Sequence, residues 1–320
     1  MITPSKICQS NLRKISIFNE IYINMFEQLY AKLLDEKTKK LSEKIIINIA
    51  IVSFVLHLIV IVLNDLGFLG NAISGELFTN PISAIYTPFS FILIYEVYLL
   101  IYYLPKSMTI YIGKQYEIIM LIVIRRLYKD LSNISLDGNW LEDTQNLQFI
   151  YDIVATVILF LLIHFFYSMN KVRVRKLLKL TETRPELIRF VRFKKTLAVL
   201  LVPTFIIIAL YNVYDWATHV PELQTEIALG LDVNAVFFDD FFTMLILVDV
   251  LLVLFSFAHT DKFNKVIRNS GFVISTILVK LSFSVTGLQN VVLIISAVAF
   301  GVIILWIHKL FEKNKLPTNY

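Results

Sequence analysis

Eight times along the chain, apolar residues run for about the width of a bilayer's hydrocarbon core and then give way to a short polar segment. The runs fall at 45–64, 83–104, 109–131, 148–169, 196–214, 236–258, 270–286 and 289–308. Each predicts a helix able to span or nearly span a membrane. The run at 109–131 carries Lys114, Gln115 and Glu117 near its start, and the run at 270–286 is short and has several Ser and Thr. Either could lie in the interface or re-enter, buried by neighbouring helices rather than facing lipid.

Ahead of the first run, Phe18, Ile21, Tyr22, Met25, Phe26 and Leu29 recur at helical spacing, with Lys14, Glu20, Glu27 and Lys32 between them. Residues 1–44 therefore predict an amphipathic helix and a basic segment. Such a helix packs on the protein's own cytoplasmic face or lies in the membrane interface, and packing is the simpler expectation.

The charges between the runs give the orientation. Residues 1–44 contain eight Lys or Arg, residues 65–82 none, residues 132–147 none, residues 170–195 ten and residues 215–235 none. The turn at 105–114 holds Lys106 and Lys114, residues 259–269 hold Lys262, Lys265 and Arg268, and the tail holds Lys309, Lys313 and Lys315. Basic and non-basic segments alternate without a break. The positive-inside rule then expects eight spans, a multi-pass cell-membrane location and both termini cytoplasmic. Dropping either doubtful run would put basic and non-basic loops on one side.

The two halves resemble each other. Phe89 to Val97 aligns with Phe242 to Val250, setting Glu96 against Asp249. Ile118 to Arg125 aligns with Val273 to Lys280, and VILFLLIHF at 157–165 with VIILWIHK at 302–309 sets His164 against His308. The offsets are 249 minus 96 or 153, 280 minus 125 or 155, and 308 minus 164 or 144. Aliphatic matches carry little weight, since any two such windows look alike. An acid, a base and a histidine in the same order carry more. The expected architecture is two parallel four-helix repeats, 45–169 and 196–310, joined by a basic cytoplasmic linker at 170–195 and followed by a tail at 311–320.

Ionisable groups at membrane depth are costly, so they are the candidate functional residues: Glu96, Arg125, Asp249 and Lys280. Glu96 and Asp249 either line a polar pathway and take a cation or proton, or act as buried anchors. Arg125 and Lys280 either pair with them, directly or through water, or snorkel outward. Arg126 and Lys129 are expected at the interface. His57, central in the first run, reads more simply as a helix-contact residue than as a proton relay. His164 and His308 fall near the cytoplasmic ends, and Asp152 near the outer boundary, where a charge costs little. Pro88 and Pro203 can kink their helices. Tyr86, Tyr102, Tyr103, Trp140, Tyr167, Trp216 and Trp306 suit an aromatic belt.

Composition agrees with this class and narrows the chemistry. The 320 residues are 57% apolar and 17% charged, with mean hydropathy +0.70. The polar first 30 residues do not read as a cleavable signal peptide. One cysteine, Cys8, excludes an intrachain disulfide and a cysteine-based metal site. HExxH, Walker, GxSxG and Gly-rich dinucleotide motifs are absent, so neither an enzyme nor a cofactor is expected. Residues 148–169 contain no Arg or Lys, unlike the arginine-ladder helix of voltage-sensor modules. The net charge of +5 sits in loops and does not indicate nucleic acid. The expected partners are the lipid bilayer and anionic lipid at the basic linker. A homo-oligomer is compatible with a fused pair but not required by it.

Two functions follow from these features. One is a channel- or transporter-like protein with a polar pathway lined by intramembrane acids, carrying a cation or proton. The other is a non-transporting membrane-embedded signalling or interaction subunit that docks a cytoplasmic partner or anionic lipid.

Overall fold

The computed structural model describes residues 25–67, 81–132, 144–177, 185–218, 233–259, 263–285 and 287–313. Among these there is no strand, and eight long helices follow in order: α1 Glu36–Asp65, α2 Tyr86–Tyr103, α3 Met108–Ser132, α4 Thr144–Leu177, α5 Pro185–Thr218, α6 Val233–His259, α7 Phe263–Ser282 and α8 Gly287–Lys313. Four stretches are long and apolar enough to cross a membrane: Met25–Asp65, Asn146–Asn170, Asp240–Ala258 and Gly287–Lys313. The apolar stretch Thr87–Tyr103 of α2 is shorter. At 1.5 Å per residue, the 20 residues of α7 would span roughly 30 Å.

Each half is a chain of neighbours. α1 packs on α2, α2 on α3 and α3 on α4; likewise α5 packs on α6, α6 on α7 and α7 on α8. The halves meet through α4 on α8, α3 on α7 and α2 on α5. The polarity of the packing is the reverse of a water-soluble bundle. On α1, Ile45, Ile49, Val52, Leu56, Ile59 and Leu63 form an exposed apolar face. On α7, Ile267, Ile274 and Leu281 point outward, while Arg268, Asn269, Ser275, Thr276 and Ser282 are buried. α3 goes further, since no large apolar side chain described on it is exposed. Of its polar positions, Thr109, Gln115 and Arg125 are buried, and Lys114, Glu117 and Arg126 are partly so.

The seam between the halves is close-packed around Tyr116. Its ring meets Phe166 of α4 edge-on with centroids 5.3 Å apart, and Phe166 leans on Phe272 of α7 at 5.9 Å. The Tyr116 hydroxyl donates to Ser275 Oγ at 2.7 Å, which in turn donates to the Ala297 carbonyl at 2.6 Å. Gly301 of α8 leaves room for that phenol: a β-carbon there would overlap the hydroxyl.

Helix ends differ from expectation in detail. α4 continues to Leu177 and α5 begins at Pro185, so both reach into the basic linker. Residues 178–184 lie outside the described residues. Pro88 sits in the first turn of α2, where a missing N–H costs nothing, and so starts the helix rather than kinking it. Pro203 is inside α5. Of the amphipathic N-terminal segment, residues 1–24 lie outside the described residues. Residues 25–33 are helical, and Leu34 is buried, with Tyr30 and Leu33 packed against the core. Tyr98 donates to the Leu33 carbonyl at 3.1 Å, and Arg192 of α5 lies 3.9 Å from Glu27. This part of the segment therefore packs on its own protein, the simpler of the two expectations.

Candidate functional site

A buried polar cluster joins α3 of the first half to α6 and α7 of the second. Asp249 of α6 is fully buried. Its Oδ2 accepts the Gln115 amide N–H of α3 at 2.9 Å. The Gln115 Oε1 accepts from Thr276 Oγ of α7 at 3.0 Å, and the same hydroxyl reaches the Phe272 carbonyl one turn back at 3.1 Å. One amide thus ties the two halves together, its N–H on the acid and its oxygen on the hydroxyl. Tyr111 of α3 lies beside the carboxylate, fully buried. Its hydroxyl and Asp249 Oδ1 each lack a hydrogen-bond partner among the described residues. Lys194 of α5 is the basic group whose charge reaches Asp249. It is only 2% exposed, and its Nζ donates to the Lys106 carbonyl at 3.1 Å.

Glu96 lies elsewhere. It is half-buried within the first half, and the charges nearest it are Glu117 and Lys114 of α3 and Glu43 of α1. Lys114 and Glu117 are paired at 2.5 Å, Tyr95 donates to Glu43 at 3.4 Å, and Tyr167 of α4 reaches over Gly113 towards Glu117. Glu96 on α2 and Asp249 on α6 thus have different surroundings. Only Asp249 is on the seam.

Of the two alternatives for Arg125 and Lys280, direct pairing with Glu96 and Asp249 is not formed among the described residues. The α2–α3 turn falls at 104–107, so Glu96 is level with the Lys114–Glu117 turn and Arg125 lies roughly 15 Å further along α3. Arg125 is buried there. Lys280 is bonded to Thr243 of α6, well along the helix from Asp249.

The paired base is instead Arg126, expected at the interface. Its guanidinium grips Asp152 through Nε on Oδ2 at 2.5 Å and a second nitrogen on Oδ1 at 2.6 Å. Asp152, expected to be solvated near a boundary, is fully buried, and Gln148 adds a third bond at 2.9 Å. The side chain of Lys129 lies outside the described residues.

The histidines fall into three environments. His57 Nδ1 lies 2.6 Å from Thr87 Oγ, joining α1 to α2 as a helix-contact residue would. His164 is exposed beside Phe165. His308, expected at an interface, is buried: its Nε2 faces Arg268 at 3.2 Å and its Nδ1 the Asn264 carbonyl at 3.1 Å. Near the α2–α3 turn, Lys39 and Lys106 lie over the Tyr102 ring, and Lys39 and Lys114 over Tyr103. These two belt tyrosines therefore hold ammonium groups. Trp306 is exposed as a belt residue would be, while Trp140 and the side chains of Tyr86 and Trp216 lie outside the described residues.

Gln115, Tyr111, Thr276 and Lys194 were not among the expected site residues. The sequence did hold a signal. Polar groups in the runs at 109–131 and 270–286 are the side chains that meet at the seam, because helices poor in lipid-compatible surface must face one another. Among the described residues no group of three His, Cys, Asp or Glu is placed to hold a metal ion. Comparison of the chain with family models, with curated proteins and with solved structures gives no match.

Proposed function

We propose that this is a membrane protein of eight spans, built as two parallel four-helix repeats with both termini cytoplasmic, that moves a cation or proton along a polar pathway between the halves. The carrying observation is Asp249: a fully buried carboxylate on one half, held by Gln115 of the other. Parallel repeats commonly place sites at such a seam near mid-membrane.

Two further relations support the repeat. Phe89 stacks on Tyr128 at 5.0 Å and 29°, and Phe242 on Phe283 at 5.5 Å and 28°. Lys114 lies over Tyr103, and Asn269 bonds Ser256. Each second pair sits 153 and 155 residues beyond the first (242 minus 89, 283 minus 128), the offsets that relate the acids and bases. The halves also meet through like helices, α3 on α7 and α4 on α8, alongside α2 on α5; the like contacts are the kind an axis along the membrane normal produces.

Reconstitution tests the reading. Purified protein in proteoliposomes should pass protons or monovalent cations down a gradient, and Asp249→Asn should lose most of that flux. No flux under any gradient would remove the proposal. A second reading is favoured by the lysines held on Tyr102 and Tyr103, beside the helix ends that carry the basic linker. It makes the same face a dock for anionic lipid or a cytoplasmic partner. Binding to anionic vesicles without flux would support it.

A further inference from the structure

We propose that Asp249 binds a single proton and that Lys194 is the built-in cation that replaces that proton when it leaves. This rests on the pathway reading above and assigns its cargo and its counter-charge.

The ligand class follows from what surrounds the carboxylate. A metal ion would need several oxygen ligands. Beyond its bond from Gln115, Asp249 offers one oxygen, Oδ1, with the Tyr111 hydroxyl beside it. The Gln115 oxygen is already taken by Thr276, and Lys194 adds a positive charge that opposes a bound cation. A proton needs one oxygen only. The Tyr111 hydroxyl beside Oδ1 can accept from the neutral acid and donate to the carboxylate, so it serves both protonation states.

The replacement follows from charge. When the proton leaves Oδ1, the bare carboxylate is far from water, and an isolated buried charge is unstable without a partner. The groups facing it are Tyr111 and Gln115 from α3, Thr276 from α7 and Lys194 from α5. Only Lys194 among these is cationic. It makes no ion pair with Asp249 in this structure; its ammonium rests on the Lys106 carbonyl, with Arg268 acting on it as a like charge. Its flexible four-carbon stem can turn the ammonium from that neutral acceptor towards the acid. Proton arrival would send it back.

Infrared difference spectroscopy of the full chain in nanodiscs, stepped through pH, tests this. A carboxylic-acid C=O band should appear on acidification, vanish in Asp249→Asn and stay unchanged when sodium or potassium replaces choline. Lys194→Met removes a nearby cation and so favours the neutral acid, moving the band's midpoint to higher pH by about one unit or more. Lys194→Arg keeps the charge and should leave the midpoint near that of the unaltered protein, which also controls for misfolding. No band assignable to Asp249, a band that follows sodium, or a midpoint unmoved by Lys194→Met would each overturn the proposal. A titrating band without proton flux would uphold the proton site and remove the pathway reading.

Discussion

The Tyr116 phenol of α3 occupies the space that a β-carbon on residue 301 of α8 would need. The two halves therefore interlock at a glycine. Gly301→Ala should lower stability by about 1–3 kcal/mol, because a close-packed seam must open to admit the methyl group. Thermal unfolding in detergent would measure it. In a Tyr116→Phe background the hydroxyl is gone and the penalty should shrink. An equal penalty in both backgrounds would mean that the phenol is not the obstacle.

The Arg126–Asp152 pair gives a second prediction. Asp152→Ala strands a guanidinium that is largely sheltered, and should cost about 3 kcal/mol in the same unfolding measurement. The double variant Arg126→Met, Asp152→Leu should recover most of that loss, since apolar replacements of a buried pair are often neutral. Further loss in the double variant would mean that the pair contributes more than its own neutralisation.

The two acids should not be equivalent in function. Asp249 is on the seam and Glu96 is within the first half, beside Lys114 and Glu117. In proteoliposomes Asp249→Asn should reduce proton flux by about tenfold or more, as expected for a required intramembrane carboxylate. Glu96→Gln should reduce it far less. Equal losses would place Glu96 on the same route.

Orientation can be read by labelling. With Cys8 replaced by serine, Asn139→Cys and Thr225→Cys should react with an impermeant maleimide added to intact cells. Thr183→Cys should react only after permeabilisation. All three reacting from one side would discard the eight-span topology.

Helix placement was legible in the sequence because apolar runs of bilayer length leave few alternatives. The seam was only half legible. Order along the chain put Glu96 against Asp249, and each lies on a helix. The partners of the acids stayed open in the sequence because pairing in a hairpin depends on distance from its turn. Glu96 is level with Lys114, not with Arg125, and Lys280 is level with Thr243. Gln115 and Thr276 were visible as blemishes in two runs. Which neighbour they would face depends on how the halves dock, and nothing local encodes that. Asp152 and His308 were misjudged for a related reason: position near a helix end suggests water, but α3 and α7 cover them.

The shielding of α3 has a consequence for synthesis. The helix carries Lys114, Gln115, Glu117, Arg125 and Arg126, and part of its cover, α7, is encoded about 150 residues later. At the roughly 5–20 residues per second of ribosomal elongation, about eight to thirty seconds separate the two. On the proposed eight-span reading, the newborn helix lacks that part of its cover during the interval, and the insertion machinery would have to shelter its polar side chains until α7 arrives.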